Sequence, residues 1–300
     1  MPDRNPNLGG HAGTHAGGKQ VARTAALTGA ALVAFASNSI LCRMALGTGQ
    51  ADPVAFTALR LASGASSLWL ITTMRRVQVH GRPQSAWMSP LMLFSYAACF
   101  SFAYVDLSAG TGALVLFGSV QATMLLAALV AGERPHARQW LGLFSALAGL
   151  VVLVFPGLRA PSPLGSVLMA VAGASWGVYT LRGRGAANPL ADTAANFLWA
   201  VAFAVPLVLV GFGSMHVSPR GAMLAILSGA LASGLGYVIW YAALRHLTAT
   251  RAASVQLAVP VLTAAAGVLL LGEQIAPRLL LAAVLILGGV GLAVGTRARR

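Results

Sequence analysis

Apolar runs near 20 residues long recur along the chain, separated by short polar breaks. The apolarity within a run is continuous and does not alternate. Each run is long enough to cross about 30 Å of hydrocarbon as a helix, and continuous runs point to helices, not to a barrel. Ten spans are read at 24–46, 53–73, 87–107, 109–131, 138–156, 163–181, 190–211, 221–243, 250–271 and 278–296. The expected fold is an all-α membrane protein of ten transmembrane helices. Residues 1–22 are rich in Gly, His, Asn and Ala without periodicity and read as a disordered cytosolic tail. Lys19, Arg23 and the "AFA" of 34–36 would suit a cleaved signal peptide, but the apolar run continues to Leu46.

Composition supports this. The chain is 57% apolar and 9% charged, where soluble domains carry roughly 25% charged residues. The net charge of +14 does not indicate nucleic acid, because the cations are scattered through short loops and form no single stripe. With the N-terminus cytosolic, 15 Lys and Arg fall on the cytosolic side, among them Arg75, Arg76, Arg82, Arg182, Arg184 and Arg245. Four fall opposite: Arg43, Arg159, Arg220 and Arg278. The positive-inside rule then places both termini in the cytosol of an inner-membrane protein. Cys42 and Cys99 lie in apolar runs and give neither a disulfide framework nor a metal set.

The chain also repeats itself. Shifted by 136 residues, 28–58 falls on 164–194, matching Ser39 with Ser175, Gly47 with Gly183, Gly49 with Gly185 and Pro53 with Pro189. Shifted by 140, 113–154 falls on 253–294, and Gly132-Glu133 lands on Gly272-Glu273. A duplication with five spans per copy has an odd number of crossings. The second copy therefore enters from the other side, an inverted repeat of the kind found in secondary transporters. The halves are read as 23–156 and 157–300.

These features resemble the EamA family of the drug/metabolite transporter superfamily. The resemblance is carried by the paired five-span halves, Arg60 in "FTALRLASG", "LVAGERP" and "LLLGEQI" closing spans 4 and 9, and "QLAVPVLTAAAG" with Pro260. One departure is Val120, where the second half has Pro260. The resemblance implies alternating-access movement of small organic metabolites, often outward. It also implies a cavity among spans 1–4 and 6–9, with spans 5 and 10 peripheral.

Several residues are candidates to line that pathway. In "FASNSILCR", Asn38 lies about 21 Å into span 1, where an amide needs the bundle interior or a wet cavity. Interhelical hydrogen bonding by Ser37, Asn38 and Ser39 is the structural alternative. The counterpart in span 6 holds Trp176 and Tyr179. Arg60 is the one charge well inside a span. It is either a fixed ion pair with Asp52 or Asp106, or an attractor for a substrate carboxylate, and its repeat counterpart is the neutral Asn196. Gln121 and Gln256 sit in apolar surroundings, and Pro260 frees the Gln256 carbonyl at an expected hinge. Tyr96, Tyr237, Trp199 and Trp240 either line the cavity or face lipid. Glu133 and Glu273 follow glycine before the next helix and are read mainly as helix caps. Gly291 and Gly295 form a weak dimer signal, so a monomer or weak homodimer is expected.

All six His lie outside the spans, and the acidic residues lie away from the midplane. Acid–base hydrolysis within the membrane lacks its groups, as does proton relay. No catalytic residue, metal or cofactor is expected. The partners expected are a small-molecule substrate and the lipid bilayer. The function read is export of small metabolites such as amino acids. A broad drug or cation exporter is the alternative, and a lipid-acting enzyme or a scaffold fits less well.

Overall fold

Four helices start in the same way, with a polar residue followed by proline: Asp52-Pro53, Ser162-Pro163, Asn188-Pro189 and Ser218-Pro219. Each polar side chain accepts backbone N–H bonds from the first turn, as Asp52 Oδ1 does from Val54 N (2.8 Å) and Ala55 N (2.9 Å). Proline fits the first helical position because its missing N–H is not needed there.

The computed structural model describes residues 11–79, 87–130, 137–154, 161–184, 186–247, 252 and 255–294. Among these the chain is helical apart from turns and one isolated bridge, Ala51 with Val217. The helices are α1 (His11–Leu46), α2 (Pro53–Met74), α3 (Met88–Ala103), α4 (Ala109–Val130) and α5 (Ala137–Val154) in the first half. In the second they are α6 (Pro163–Gly183), α7 (Pro189–Gly211), α8 (Pro219–Leu244), α9 (Ala258–Leu271) and α10 (Pro277–Val294). Six of them are long and apolar enough to cross a membrane; α3, α5, α9 and α10 are shorter apolar helices.

Three expectations need correction. Helix α1 begins at His11, so residues 11–22, read as an irregular tail, extend the first helix, whose apolar span begins at Gln20. Span 8 is not a uniform α-helix, because Ser228–Leu235 is a π-helical segment within α8. Glu273 does cap a helix, but one in the other half. Its carboxylate accepts from Ala109 N at the start of α4 (2.9 and 3.0 Å) and lies 3.6 Å from Arg43 Nε. Gly272, left-handed at φ 65°, ends α9 and turns the chain to aim that carboxylate. Glu133 lies outside the described residues.

The halves interlock. Helix α1 packs on α8 and α9, while α6 packs on α3 and α4. Helices α2 and α7, α4 and α9, and α5 and α10 pair directly. In the last pair, Gly149 backs onto Ala282, Leu285 and Ile286, while Gly289 backs onto Gly142, Ser145 and Ala146. Rising numbers on α5 meet falling numbers on α10, so the two run antiparallel. Gly289, and not Gly291, is the packed glycine here.

Loop contacts fall into two clusters. In one, Arg43 Nη1 donates to the carbonyls of Tyr104 and Val105, Asp52 N to His216 O, and Ser218 Oγ to Gln50 Oε1. In the other, Gln20 is bonded to His246, Arg182 Nε donates to Ser89 Oγ, and Arg245 donates to the carbonyls of Ala186 and Ala187.

Candidate substrate site

The site grows from one face of α1. Phe35, Asn38, Ser39 and Cys42 recur at helical spacing and all are buried. The polar atoms of "FASNSILCR" therefore face the bundle. Asn38 Nδ2 donates to the Tyr96 hydroxyl of α3 (3.0 Å), and Asn38 Oδ1 accepts from Ser228 Oγ (2.6 Å) and Ser233 Oγ (3.4 Å) of α8. The π segment makes this double contact possible. Bonding from i to i+5 stacks residues five apart, and 228 and 233 are five apart. Both hydroxyls so reach one amide.

Arg60 completes the nest. Its side chain is buried to 1% exposure. Nε donates to Ser233 Oγ and Nη2 to Tyr237 Oη, both at 3.2 Å. The guanidinium carbon lies 5.0 Å from the ring centroids of both Tyr96 and Phe100, a cation–π arrangement. Nη1 has no hydrogen-bond partner. The expected pairing with Asp52 or Asp106 is not formed. Asp52 instead caps α2 and accepts from His216 N, and Asp106 borders a cleft between the loop after α3 and the start of α10. Arg60 points across the bundle to α3 and α8, away from the loops that hold those carboxylates.

Aromatic rings close around these groups. Trp176 lies 4.6 Å from Tyr237, 5.2 Å from Tyr96 and 5.6 Å from Phe35 between centroids. Phe35, Ser39, Tyr96, Phe100, Leu116, Phe117, Trp176 and Tyr237 close around a pinched space of only about 10 Å³, room for about one water. Trp240 is buried against Phe35, whereas Trp199 is exposed on the outer surface of α7.

A second group adjoins the first. Asn196 Nδ2 donates to the Tyr179 hydroxyl (3.1 Å), and the Tyr179 ring lies 5.5 Å from Trp176. Tyr179 and Asn196 line a cleft of about 260 Å³ with Ser89, Arg182, Asp192 and Tyr241. This cleft sits by the loop cluster of Arg182 and Arg245, and its Tyr179 ring borders Trp176 of the nest. Gln121 and Gln256 are buried on α4 and before α9, outside the nest. Gln256 Nε2 donates to Ala252 O, its Oε1 has no partner, and a turn at Leu257 precedes Pro260. Of the expected residues, the fold thus brings Asn38, Arg60, Tyr96, Trp176 and Tyr237 together, with Tyr179 and Asn196 adjoining. The sequence reading missed Ser228, Ser233, Phe35 and Phe100. The two serines had a signal, "SGALASG" inside an apolar run.

The EamA-like transporter family matches the chain twice, at residues 24–155 and 163–295. The chain belongs to this family. An uncharacterized protein of Pseudomonas aeruginosa is 52% identical over 282 residues, covering 93% of this chain and 96% of that protein. A protein of Escherichia coli named a probable amino-acid metabolite efflux pump is 30% identical, covering 70% and 78%. One of Streptantibioticus cattleyicolor, named a probable terminal-alkyne amino-acid exporter, is 29% identical and covers 80% of each chain. A solved crystal structure superposes with a TM-score of 0.67 at 22% identity, over 89% of this chain and 98% of its own, and so shares the fold. The transporter is a multi-pass membrane protein of two EamA repeats, and family membership places it among transporters, not enzymes.

Proposed function

We propose that this EamA protein is a ten-span inner-membrane secondary transporter that exports small carboxylate-bearing metabolites, amino acids or their derivatives, by alternating access. The observation that carries the reading is Arg60. A buried guanidinium with only neutral partners and a free Nη1 is costly inside a membrane. A substrate carboxylate supplies what it lacks, in the two-pronged geometry that suits the guanidinium fork. A cationic cargo would be repelled by the same group, which weighs against broad drug or cation export. The names of the Escherichia coli and Streptantibioticus cattleyicolor relatives support the substrate class.

Three features support the inverted architecture. Loops that alternate along the sequence gather in opposite clusters, as expected if every helix crosses. The glycine contacts of α5 and α10 exchange under the 140-residue shift, which is two-fold symmetry. A two-fold that relates antiparallel helices is perpendicular to them, and so lies in the membrane plane. Helices α2 and α7 agree, because Val54 meets Gly211 and Gly64 meets Phe197. Asp52 and Asn188 cap α2 and α7 at a spacing of 136 residues, and Thr57 and Thr193 each bond back to the proline carbonyl that follows the cap. Charge bias supports a cytosolic position for the Arg182–Arg245 cluster and the cleft beside it.

Counterflow in proteoliposomes tests the proposal. Vesicles preloaded with an amino-acid metabolite should accumulate the labelled compound, and Arg60→Gln should abolish this while the protein still elutes as a folded species. Saturable flux that is indifferent to Arg60→Gln would remove the residue from the cargo site.

A further inference from the structure

We infer that the cargo of this site is a monoanion with an apolar or aromatic body, an amino-acid metabolite whose amino group has been acylated or removed, and not a zwitterionic amino acid. The inference rests on the reading of Arg60 as the cargo contact and goes on to the net charge of what binds there.

The charges near the nest decide the sign. Arg60 contributes one positive charge. Its polar neighbours Ser233, Tyr237, Tyr96 and Asn38 are neutral groups. The described carboxylates are placed elsewhere. Asp52 caps α2, and Glu273 caps α4 beside Arg43. Asp106 borders the cleft at the start of α10 and Asp192 the cleft of Tyr179 and Asn196. Asp3 and Glu133 lie outside the described residues, in the N-terminal stretch and at the end of span 4. A monoanion makes the loaded site neutral. A zwitterion leaves the site at +1 and brings an ammonium close to the guanidinium, with no carboxylate to hold it. In a medium this poor in solvent, that second cation is strongly disfavoured.

The cavity decides the body. Phe35, Phe100, Leu116, Phe117 and Trp176 present carbon, Ser39 adds a single hydroxyl, and the rings of Tyr96 and Tyr237 join the cavity to the guanidinium. This lining is carbon-rich with one unpartnered hydroxyl, and in the closed conformation seen here it has room for about one water, so these are the rings an apolar or aromatic body would meet as the bundle opens.

Charge also supplies direction. A monoanion that leaves a cell negative inside moves down the potential and needs no coupling ion. At 100 mV one charge is worth about 2.3 kcal/mol, close to a 50-fold concentration ratio.

The test uses the full-length protein in proteoliposomes with four labelled probes: N-acetylphenylalanine, phenylpyruvate, phenylalanine and phenethylamine. A potassium gradient with valinomycin sets the potential. We expect the two anions to exchange at least tenfold faster than phenylalanine, and phenethylamine to remain at background. An inside-negative potential should drive the anions out toward the 50-fold ratio and leave phenylalanine unaffected. Arg60→Gln should abolish anion flux and Arg60→Lys should retain part of it. If Arg60→Gln does not fold, the ranking of probes by the unmodified protein and its response to potential decide alone. Phenylalanine moving as fast as the anions, without response to potential, overturns the inference and leaves transport standing. Saturable movement of none of the probes overturns the transport reading, and this inference with it.

Discussion

Asn38 and Arg60 share one hydroxyl, that of Ser233, which accepts from Arg60 Nε and lies 3.4 Å from Asn38 Oδ1. The amide therefore holds the π segment in the position that serves the guanidinium. Two substitutions separate support from charge. Asn38→Leu keeps the size but removes the bonds to Tyr96 and Ser228. Interhelical hydrogen bonds in membranes average about 0.6 kcal/mol, so the melting temperature should fall by only a few degrees while transport falls at least tenfold. Asn38→Asp instead offers Arg60 an internal counterion. The fold should be as stable or more so, and carboxylate transport should be lost because the guanidinium is already satisfied. Thermal stability measured beside counterflow checks both, and an active Asn38→Asp protein would contradict the role given to Arg60. Asn38 and Arg60 were legible in the sequence because each interrupts an apolar run, whereas Ser228 and Ser233, small residues in a Gly- and Ala-rich stretch, were missed. The partners of Arg60 were not legible. Asp52 and Asp106 are near it by depth, but partner choice depends on which way the side chain crosses the bundle, and sequence spacing does not encode that.

Most of the helices follow from run length, four of them also from a polar-Pro start, and among the described residues the bounds lie close to the apolar runs except at the starts of α1 and α9. The π segment could not be read that way, since a stretch of Ser, Gly, Ala and Leu fits α and π turns equally. Its wider turn places Ser228 and Ser233 together. Deleting Leu231, an exposed residue of the segment, should return α8 to an α register and carry one serine away from Asn38. Helical content by circular dichroism should be kept while transport is lost. Unchanged transport would mean that the π turn is incidental. Gly229 tests the same element from outside, because a Cβ there would collide with the Arg60 carbonyl and Ser63 Oγ. Gly229→Ala should push α8 off α2 and lower stability more than Gly291→Ala, where the added methyl meets open space. At the far end, Glu273→Gln removes the charge that faces the α4 start. A carboxylate near a helix N-terminus is worth about 0.3–1 kcal/mol. A melting temperature lower by a few degrees, with transport kept, is expected.

Alternating access requires one face of the bundle to open as the other closes. The cleft of Tyr179 and Asn196 is on the face of Arg182, while the opposite face is strapped by the loop after α1 and the loop before α8. The strap is a short antiparallel pairing: Ser218 N donates to Gln50 O (2.8 Å) and Asp52 N to His216 O (3.0 Å). Ala51 and Val217 lie opposite each other between these bonds. Such a non-hydrogen-bonded pair brings Cα atoms to about 4.5 Å, within the range a disulfide spans. We therefore expect Ala51→Cys with Val217→Cys to crosslink under mild oxidation, with Cys42 buried and unreactive. If the strap is the outer gate, the oxidised protein should bind cargo from the cytosolic side yet fail to exchange it, and reductant should restore exchange. The single variants should behave as the parent does. The same pair tests topology, because an impermeant thiol reagent added outside should reach Val217→Cys in the reduced protein and miss a cysteine at Arg184. Full exchange by the crosslinked protein would show that these loops stay together throughout the cycle, and the gate would then have to be sought where Arg43 bridges α1 to the loop after α3 and to Glu273.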